Sequence, residues 1–335
     1  MNEKDLIVKY FRPLAKSKES LKLTDDVAII DTRLHDQLIV SQDSLVMGTH
    51  FLKNDDPYLI AKKSIRVNVS DIISKGAIPY GYFMSLGLDS TISEDWVERF
   101  SEGLKEDQTK YNICLLGGDT VSNPSGVFIS INIIGKNKNN IIKRSTANPN
   151  DIIYVSGDIG NSNAGLRILN TNKDYKGFPL IEESDKDFLV NCYLLPDPPL
   201  SIHKIINKYA TSSMDTTDGL INDLKTLARV SGLDASINKD QIPISNSVRR
   251  FINYSKEYGE ILFNGIVLHG GDDYQTIFTI DEKNCSSLES FAKKIDLKIT
   301  RIGNMGKKSK NTKVLDHFNQ EIEDSAHSFQ HFGSK

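Results

Sequence analysis

Apolar positions at helical spacing open the chain. Leu6, Ile7, Tyr10, Phe11 and Leu14 share one face, so a helix is expected over residues 5–15. Short apolar runs at 27–30 and 37–40, joined by a polar turn, predict a strand pair. Residues 57–76 form a long helical stretch stopped by Gly76, and 80–88 then reads as a strand. An amphipathic helix is expected over 94–111 and a short buried strand over 113–116, closed by Gly117-Gly118. Residues 127–134 alternate and carry β-branched side chains, as a sheet strand should. The polar stretch 136–140, together with 147–151, marks a domain boundary, giving domains over 1–138 and 150–335. Beyond it, strands are expected at 152–156, 234–238, 275–280 and 297–303. Helices are expected at 164–169, 185–193, 200–209, 218–231, 245–257 and 282–293. Both halves therefore read as α/β (α+β), with no short-period repeat and no low-complexity tract.

Composition narrows the class. A chain of 335 residues exceeds one ordinary core, and 39% hydrophobic with 25% charged residues is the balance of a globular protein. Net charge is −3, so no basic field advertises nucleic acid. A polyphosphate ligand would then need metal ions to neutralise it. The three cysteines, Cys114, Cys192 and Cys285, are odd in number and lack metal-ligand spacing. They fit a reducing compartment rather than a disulfide framework or zinc site. Residues 1–16 lack a signal-peptide core, and no apolar run approaches the roughly 20 residues of a membrane helix. The expectation is a cytoplasmic protein that binds neither nucleic acid nor membrane.

Aspartates recur beside glycines or at the ends of apolar segments. They stand in Thr24-Asp25-Asp26, Ser41-Gln42-Asp43, Asn68-Val69-Ser70-Asp71 and Gly117-Gly118-Asp119-Thr120. The second half adds Met214-Asp215-Thr216-Thr217-Asp218-Gly219 and Gly270-Gly271-Asp272-Asp273-Tyr274. Carboxylates gathered on one cleft repel each other unless cations intervene, and Mg²⁺ prefers oxygen ligands together with substrate phosphates. Simpler readings stay open: Asp25-Asp26 and Asp43 suit turns, and Asp71 suits a solvated helix face. Gly117-Gly118-Asp119 reads as a hairpin turn or, with an apolar strand running into it, as a loop that approaches phosphate. Asp215 to Asp218 precede a predicted helix whose start Thr216 or Thr217 is placed to cap. The P-loop pattern and the protein-kinase glycine loop are both absent from the chain.

Taken in order, these motifs resemble the thiamine-monophosphate kinase family, in the superfamily that includes aminoimidazole ribonucleotide synthetase. Gly48-Thr49-His50-Phe51, Lys63 through Asp71 to Ala77, Asp223-Leu224 and Gln275 extend the resemblance across nearly the whole chain. It implies ATP-dependent phosphorylation of thiamine monophosphate to thiamine diphosphate, by direct in-line transfer without a phosphoenzyme. It implies several Mg²⁺ ions and ATP as co-substrate, and leaves K⁺ as a further candidate cation. Carried over by motif, Asp26, Ser41, Gln42, Asp43, Asp71, Asp119, Asp215 and Asp218 would meet the metals. Gly118, Asp119, Arg144 and Thr217 would meet ATP, and His50, Asp272 and Phe329 the thiamine phosphate. The implied fold is an N-terminal half-barrel sheet with helices, completed by a second subunit, plus a mixed α/β C-terminal domain closing over the nucleotide. Departures are Thr24 for glycine, Gln42 for threonine, and Asp272 and Gln275 for two glutamates. The alternatives are another ATP-using enzyme of the superfamily, or a binding protein that keeps the fold without catalysis.

Overall fold

The computed structural model describes Asp5, residues 7–23, Ile30, and residues 37–138, 141–170, 181–254 and 258–323. The chain divides into two compact units, Met1–Ile141 and Ile142–Lys335.

The first unit does not open on the expected regular helix. A π-helical turn, Ile7–Phe11, passes into a 3-10 turn, Arg12–Leu14, because Pro13 has no N–H to continue an α-helix. Tyr10, Phe11 and Leu14 are nevertheless buried. Strand β1 (Gln37–Val46) runs six residues past the apolar stretch that announced it. Its polar second half stays extended because β4 (Phe128–Asn137) supplies antiparallel partners along the whole strand, ten from Gln37↔Asn137 to Val46↔Phe128. Helix α1 (Pro57–Ser74) starts where the Asp56 carboxylate accepts the Tyr58 N–H at 3.0 Å and Pro57 presets the first turn. β2 (Ile78–Leu88) follows. Helix α2 (Glu94–Tyr111) is capped by Ser93 and stopped by Asn112 in the left-handed region. Gly103 lets α2 lie against α1, since a Cβ there would stand 2.3 Å from the Tyr58 carbonyl.

β3 (Leu115–Ser122) and β4 (Phe128–Asn137) complete a sheet of order β1-β4-β2-β3. β3 overturns the reading of Gly117-Gly118 as a turn or loop, because the pair lies inside the strand beside β2. A Cβ on Gly118 would sit 2.0 Å from the Met84 carbonyl, so glycine here serves close strand approach. One sheet face, with Leu45, Met84, Leu86, Ile129, Ile131 and Ile133, is buried. α1 packs on that side, its Ile72 reaching Gly135 of β4. The opposite face is open: Val40, Val46, Ile78 and Val121 are 67, 41, 46 and 50% exposed.

The second unit is built on a sheet of six strands with helices between them. They are β5 (Ile152–Ser156), α3 (Asn161–Asn170), α4 (Glu183–Leu194), α5 (Ile202–Tyr209) and β6 (Ser212–Thr216). Next come α6 (Leu220–Ser231), β7 (Leu233–Ile237), α7 (Asn246–Asn253), α8 (Gly259–Phe263) and β8 (Gln275–Ile280). α9 (Cys285–Lys294), β9 (Ile299–Lys308) and β10 (Val314–Leu315) end it. The sheet order is β10-β7-β9-β5-β8-β6, antiparallel except for the β10–β7 pair. Val155, Leu220, Leu224, Ile277 and Ile302 belong to one apolar core between this sheet and its helices.

Candidate active site

In the first unit the acidic residues fall on both faces of one sheet. Ser41 and Asp43 point to the α1 side, where the Ser41 hydroxyl donates to the Asp71 carboxylate. The Asp43 N–H donates to Asn68 Oδ1 at 2.9 Å, and Asn68 Nδ2 donates to the Ser64 carbonyl at 2.9 Å. Asn68 is fully buried, so it locks α1 against β1 and sets Asp71 one turn further along. Asp43 therefore sits within a strand and not in the turn its sequence suited.

Gln42 faces the other way. Its Nε2 donates to Ser130 Oγ at 3.0 Å, and Ser44 Oγ lies 2.9 Å from the same oxygen. Strand register aligns Ser44, Ser130, Ser85 and Asp119 in a polar row across the open face. Asp119 and Gly118 are exposed at the β3 edge. Three strand spacings, about 14 Å, separate the β1 and β3 edges. Five site residues of this unit thus lie at two places, Ser41–Asp43–Asp71 and Gly118–Asp119, with Gln42 apart on the open face. Past the end of β1, Gly48 (φ +86°) turns the chain so that its N–H donates to the Phe51 carbonyl at 2.7 Å. The loop so formed carries His50 and walls a cavity of about 180 Å³, whose lining includes Met47, Phe51, Ile60, Asp89 and Trp96. Asp26 and Phe329 lie outside the described residues.

In the second unit, Asp215 is buried near the end of β6 and Thr217 and Asp218 form the turn beyond it. Neither Thr216 nor Thr217 caps α6, which starts at Gly219 (φ +110°) without a side-chain cap. Asp223, in the first turn of α6, reaches back instead to the turn that precedes the helix. Its Oδ2 accepts the N–H groups of Thr217 at 2.9 Å and Asp218 at 3.2 Å. Burial, then the charges of Asp218 and Asp215, push the Asp223 carboxyl well above the usual range. The Asp223 charge is thus opposed by Asp218 and Asp215, a repulsion that a cation beside the turn would relieve.

The Gly270–Tyr274 turn is fastened to that same turn. Asp272 N–H donates to the Thr217 carbonyl at 2.9 Å and Tyr274 N–H to the Thr216 carbonyl at 2.9 Å. These bonds hold Asp272 (φ +68°) and Tyr274 (φ +49°) in the left-handed region, uncommon for such residues and frequent at functional sites. Gly271 is sterically required, since a Cβ would lie 2.2 Å from the Thr217 carbonyl. Asp272 is therefore brought together with Asp215–Asp218. Its neighbour Asp273 turns inward, accepting Gly160 N–H at 2.7 Å and Ser162 N–H at 3.2 Å at the start of α3. Burial raises the Asp273 carboxyl to about 7, against the lowering pull of those two bonds. Gln275 accepts from Ser156 Oγ at 2.9 Å, so its neutral amide is used in the β5–β8 pair. Arg144 sits exposed in a turn, its carbonyl accepting from Ser231 Oγ at 3.2 Å.

Among the described residues, no three His, Cys, Asp or Glu side chains form a ready-made metal cage. Mg²⁺ needs none, being usually held by one or two carboxylates with phosphate and water completing its shell. Asn68, Asp223 and Asp273 are the site-building residues that motif reading left without roles. Asp223 carried a signal, since an aspartate early in a helix is placed to accept backbone N–H groups of the preceding turn.

Two α/β units with acidic turns at strand ends define a class, that of the proteins related to AIR synthase. Residues 24–136 match the family model for the AIR synthase related protein, N-terminal domain. A thiamine-monophosphate kinase of Buchnera aphidicola subsp. Schizaphis graminum is 32% identical over 339 residues, covering 99% of each chain. The crystal structure of the Stenotrophomonas maltophilia thiamine-monophosphate kinase has TM-score 0.79 and 28% identity, covering 95% of this chain and 96% of that one. AaThiL complexed with AMPPCP and TMP has TM-score 0.76 and 29% identity, covering 99% of both. The chain belongs to the thiamine-monophosphate kinase family.

Proposed function

We propose that this chain transfers the γ-phosphate of ATP to thiamine monophosphate, yielding ADP and thiamine diphosphate. The observation that carries the reading is the fastening of Asp272 to the Asp215–Asp218 turn in a chain of this family. One turn suits a nucleotide with its cation, the other a substrate that carries a positive ring. The AMPPCP and TMP bound by the related AaThiL support the same pairing.

Asp26, Ser41, Gln42, Asp43, Asp71, Asp119, Asp215 and Asp218 are the proposed metal-holding residues, with Gln42 serving through its carbonyl. Mg²⁺, when bound there, neutralises charge on the phosphates in transfer; K⁺ is proposed only as an accessory cation. Gly118, Asp119, Arg144 and Thr217 are assigned to ATP. Gly118 leaves room for the phosphates, and Arg144 offers a planar fork that matches phosphate oxygens. His50, Asp272 and Phe329 are assigned to thiamine monophosphate, Phe329 by stacking on the cationic thiazolium. The chain's own work is then positioning: no side chain becomes phosphorylated, and a phosphate oxygen of the acceptor attacks in line.

We further propose a homodimer. The open sheet face with its exposed valines suits a second copy, and Asp43 and Asp119 stand on opposite edges and faces of one sheet. Among the described residues no helix is long and apolar enough to cross a membrane, in keeping with a proposed cytoplasmic location. The test is product formation from purified protein, ATP, thiamine monophosphate and Mg²⁺. Thiamine diphosphate and ADP should appear in equal amounts, and removal of Mg²⁺ by chelation should stop both. ATP binding without thiamine diphosphate would favour a binding protein, and turnover only with another acceptor would favour another enzyme of the superfamily.

A further inference from the structure

The loop after β1 holds His50 by more contacts than a surface turn requires. The N–H groups of Thr49 and His50 both donate to the Val46 carbonyl, at 3.1 and 3.0 Å. Val46 returns the contact, its N–H donating to His50 Nδ1 at 3.0 Å. A backbone N–H can only donate, so Nδ1 must accept and carries no proton. The neutral ring then has its proton on Nε2. Behind the loop stands Lys63 of α1, 4% exposed, whose ammonium donates to the His50 carbonyl at 3.1 Å. A buried ammonium is costly to desolvate, so this lysine has a reason to be there beyond packing. Phe51, 3% exposed, anchors the far side of the loop.

We propose that His50 meets the substrate as a neutral imidazole donating from Nε2, and that Lys63 is the positioning residue that holds it through the His50 carbonyl. This rests on the assignment of His50 to thiamine monophosphate. The chemistry favours that form of the ring. The acceptor phosphate is anionic and takes hydrogen bonds, and one of its oxygens must remain nucleophilic. A neutral N–H orients one oxygen without the electron withdrawal of a full imidazolium. The Lys63 ammonium lies against the loop backbone, where its charge favours a nearby anion.

The test joins spectroscopy to two isosteres. Nitrogen shifts of ¹⁵N-histidine-labelled protein separate an Nε2–H ring from an Nδ1–H ring and from the cation. The His50 signal is found as the one of seven lost in His50→Gln. It should report Nε2–H at pH 8; Nδ1–H or the cation overturns the proposal. A glutamine amide places its nitrogen near Nε2 and an asparagine amide near Nδ1. His50→Asn should raise KM for thiamine monophosphate at least roughly tenfold more than His50→Gln, the scale of one hydrogen bond to a charged group. Equal losses in the two variants overturn it. Lys63→Met should raise KM for thiamine monophosphate and leave KM for ATP alone, with part restored in Lys63→Arg. A change confined to the unfolding midpoint would make Lys63 structural only and overturn its assignment. If the unaltered protein forms no thiamine diphosphate, the function itself fails, while the nitrogen shifts still decide the tautomer.

Discussion

Asp223 shows how one side chain serves fold and chemistry at once. One of its two oxygens takes two backbone N–H groups and so fixes the turn that presents Thr217 and Asp218. Its charge, however, is opposed by burial and by Asp218 and Asp215. Geometry and electrostatics therefore predict opposite effects for two substitutions. Asp223→Ala orphans both N–H groups and should cost about 1–3 kcal/mol of stability. Asp223→Asn keeps an oxygen for them and removes the repulsion, so its urea midpoint should match or exceed that of the unaltered protein. Equal destabilisation by the two would show that the carboxylate, rather than its acceptor geometry, holds the turn. In the sequence, Asp218 and Asp272 stood out by their place beside glycine, and Asp215 by its place at the end of a short extended segment. Asp273 did not, because it caps the start of α3 from more than a hundred residues away. Only the tertiary fold makes those N–H groups its neighbours.

Elements were legible where local signals agreed. The helices α1 and α2 emerge close to their expected limits because each combines an apolar face with a capping residue and a stop. The failures came where a partner decides. β1 continues through Ser41-Gln42-Asp43 because β4 is there to pair with it, and that places Asp43 and Gln42 on opposite faces. Pro13 breaks a helix that apolar spacing alone would continue. In β3, a glycine pair that normally signals a turn instead admits a neighbouring strand. Gly118→Ala tests this at element scale. Its Cβ must displace the Met84 carbonyl from a 2.0 Å contact, so β2 and β3 must part. The expected loss is about 1–3 kcal/mol, the range for overpacking a tight contact. A thermal melt would show it as a lower midpoint even without ATP. A melt unchanged from that of the unaltered protein would mean that β3 bends freely there.

At the scale of the whole molecule, the strand order of the first unit poses a question that no single residue answers. Asp43 looks toward α1 from the β1 edge, while Asp119 lies exposed at the β3 edge, two intervening strands away. One cation shell spans only a few ångströms, so one copy of this sheet does not present both carboxylates to the same ion. In a two-fold dimer each site would draw Asp43 from one chain and Asp119 from the other. That arrangement has a distinctive consequence for mixed chains. Asp43→Asn and Asp119→Asn should each be inactive alone. Mixed in equal amounts and allowed to exchange subunits, they form heterodimers in which one site carries both substitutions and the other carries neither. Activity should return to roughly a quarter of that of the unaltered protein, since half the dimers are mixed and half their sites intact. The recovery should follow the rate of subunit exchange and vanish if the dimers are cross-linked before mixing. If exchange is verified by mass and no activity returns, both carboxylates serve within one chain or serve different ions. The open valine face would then need another explanation than a shared active site.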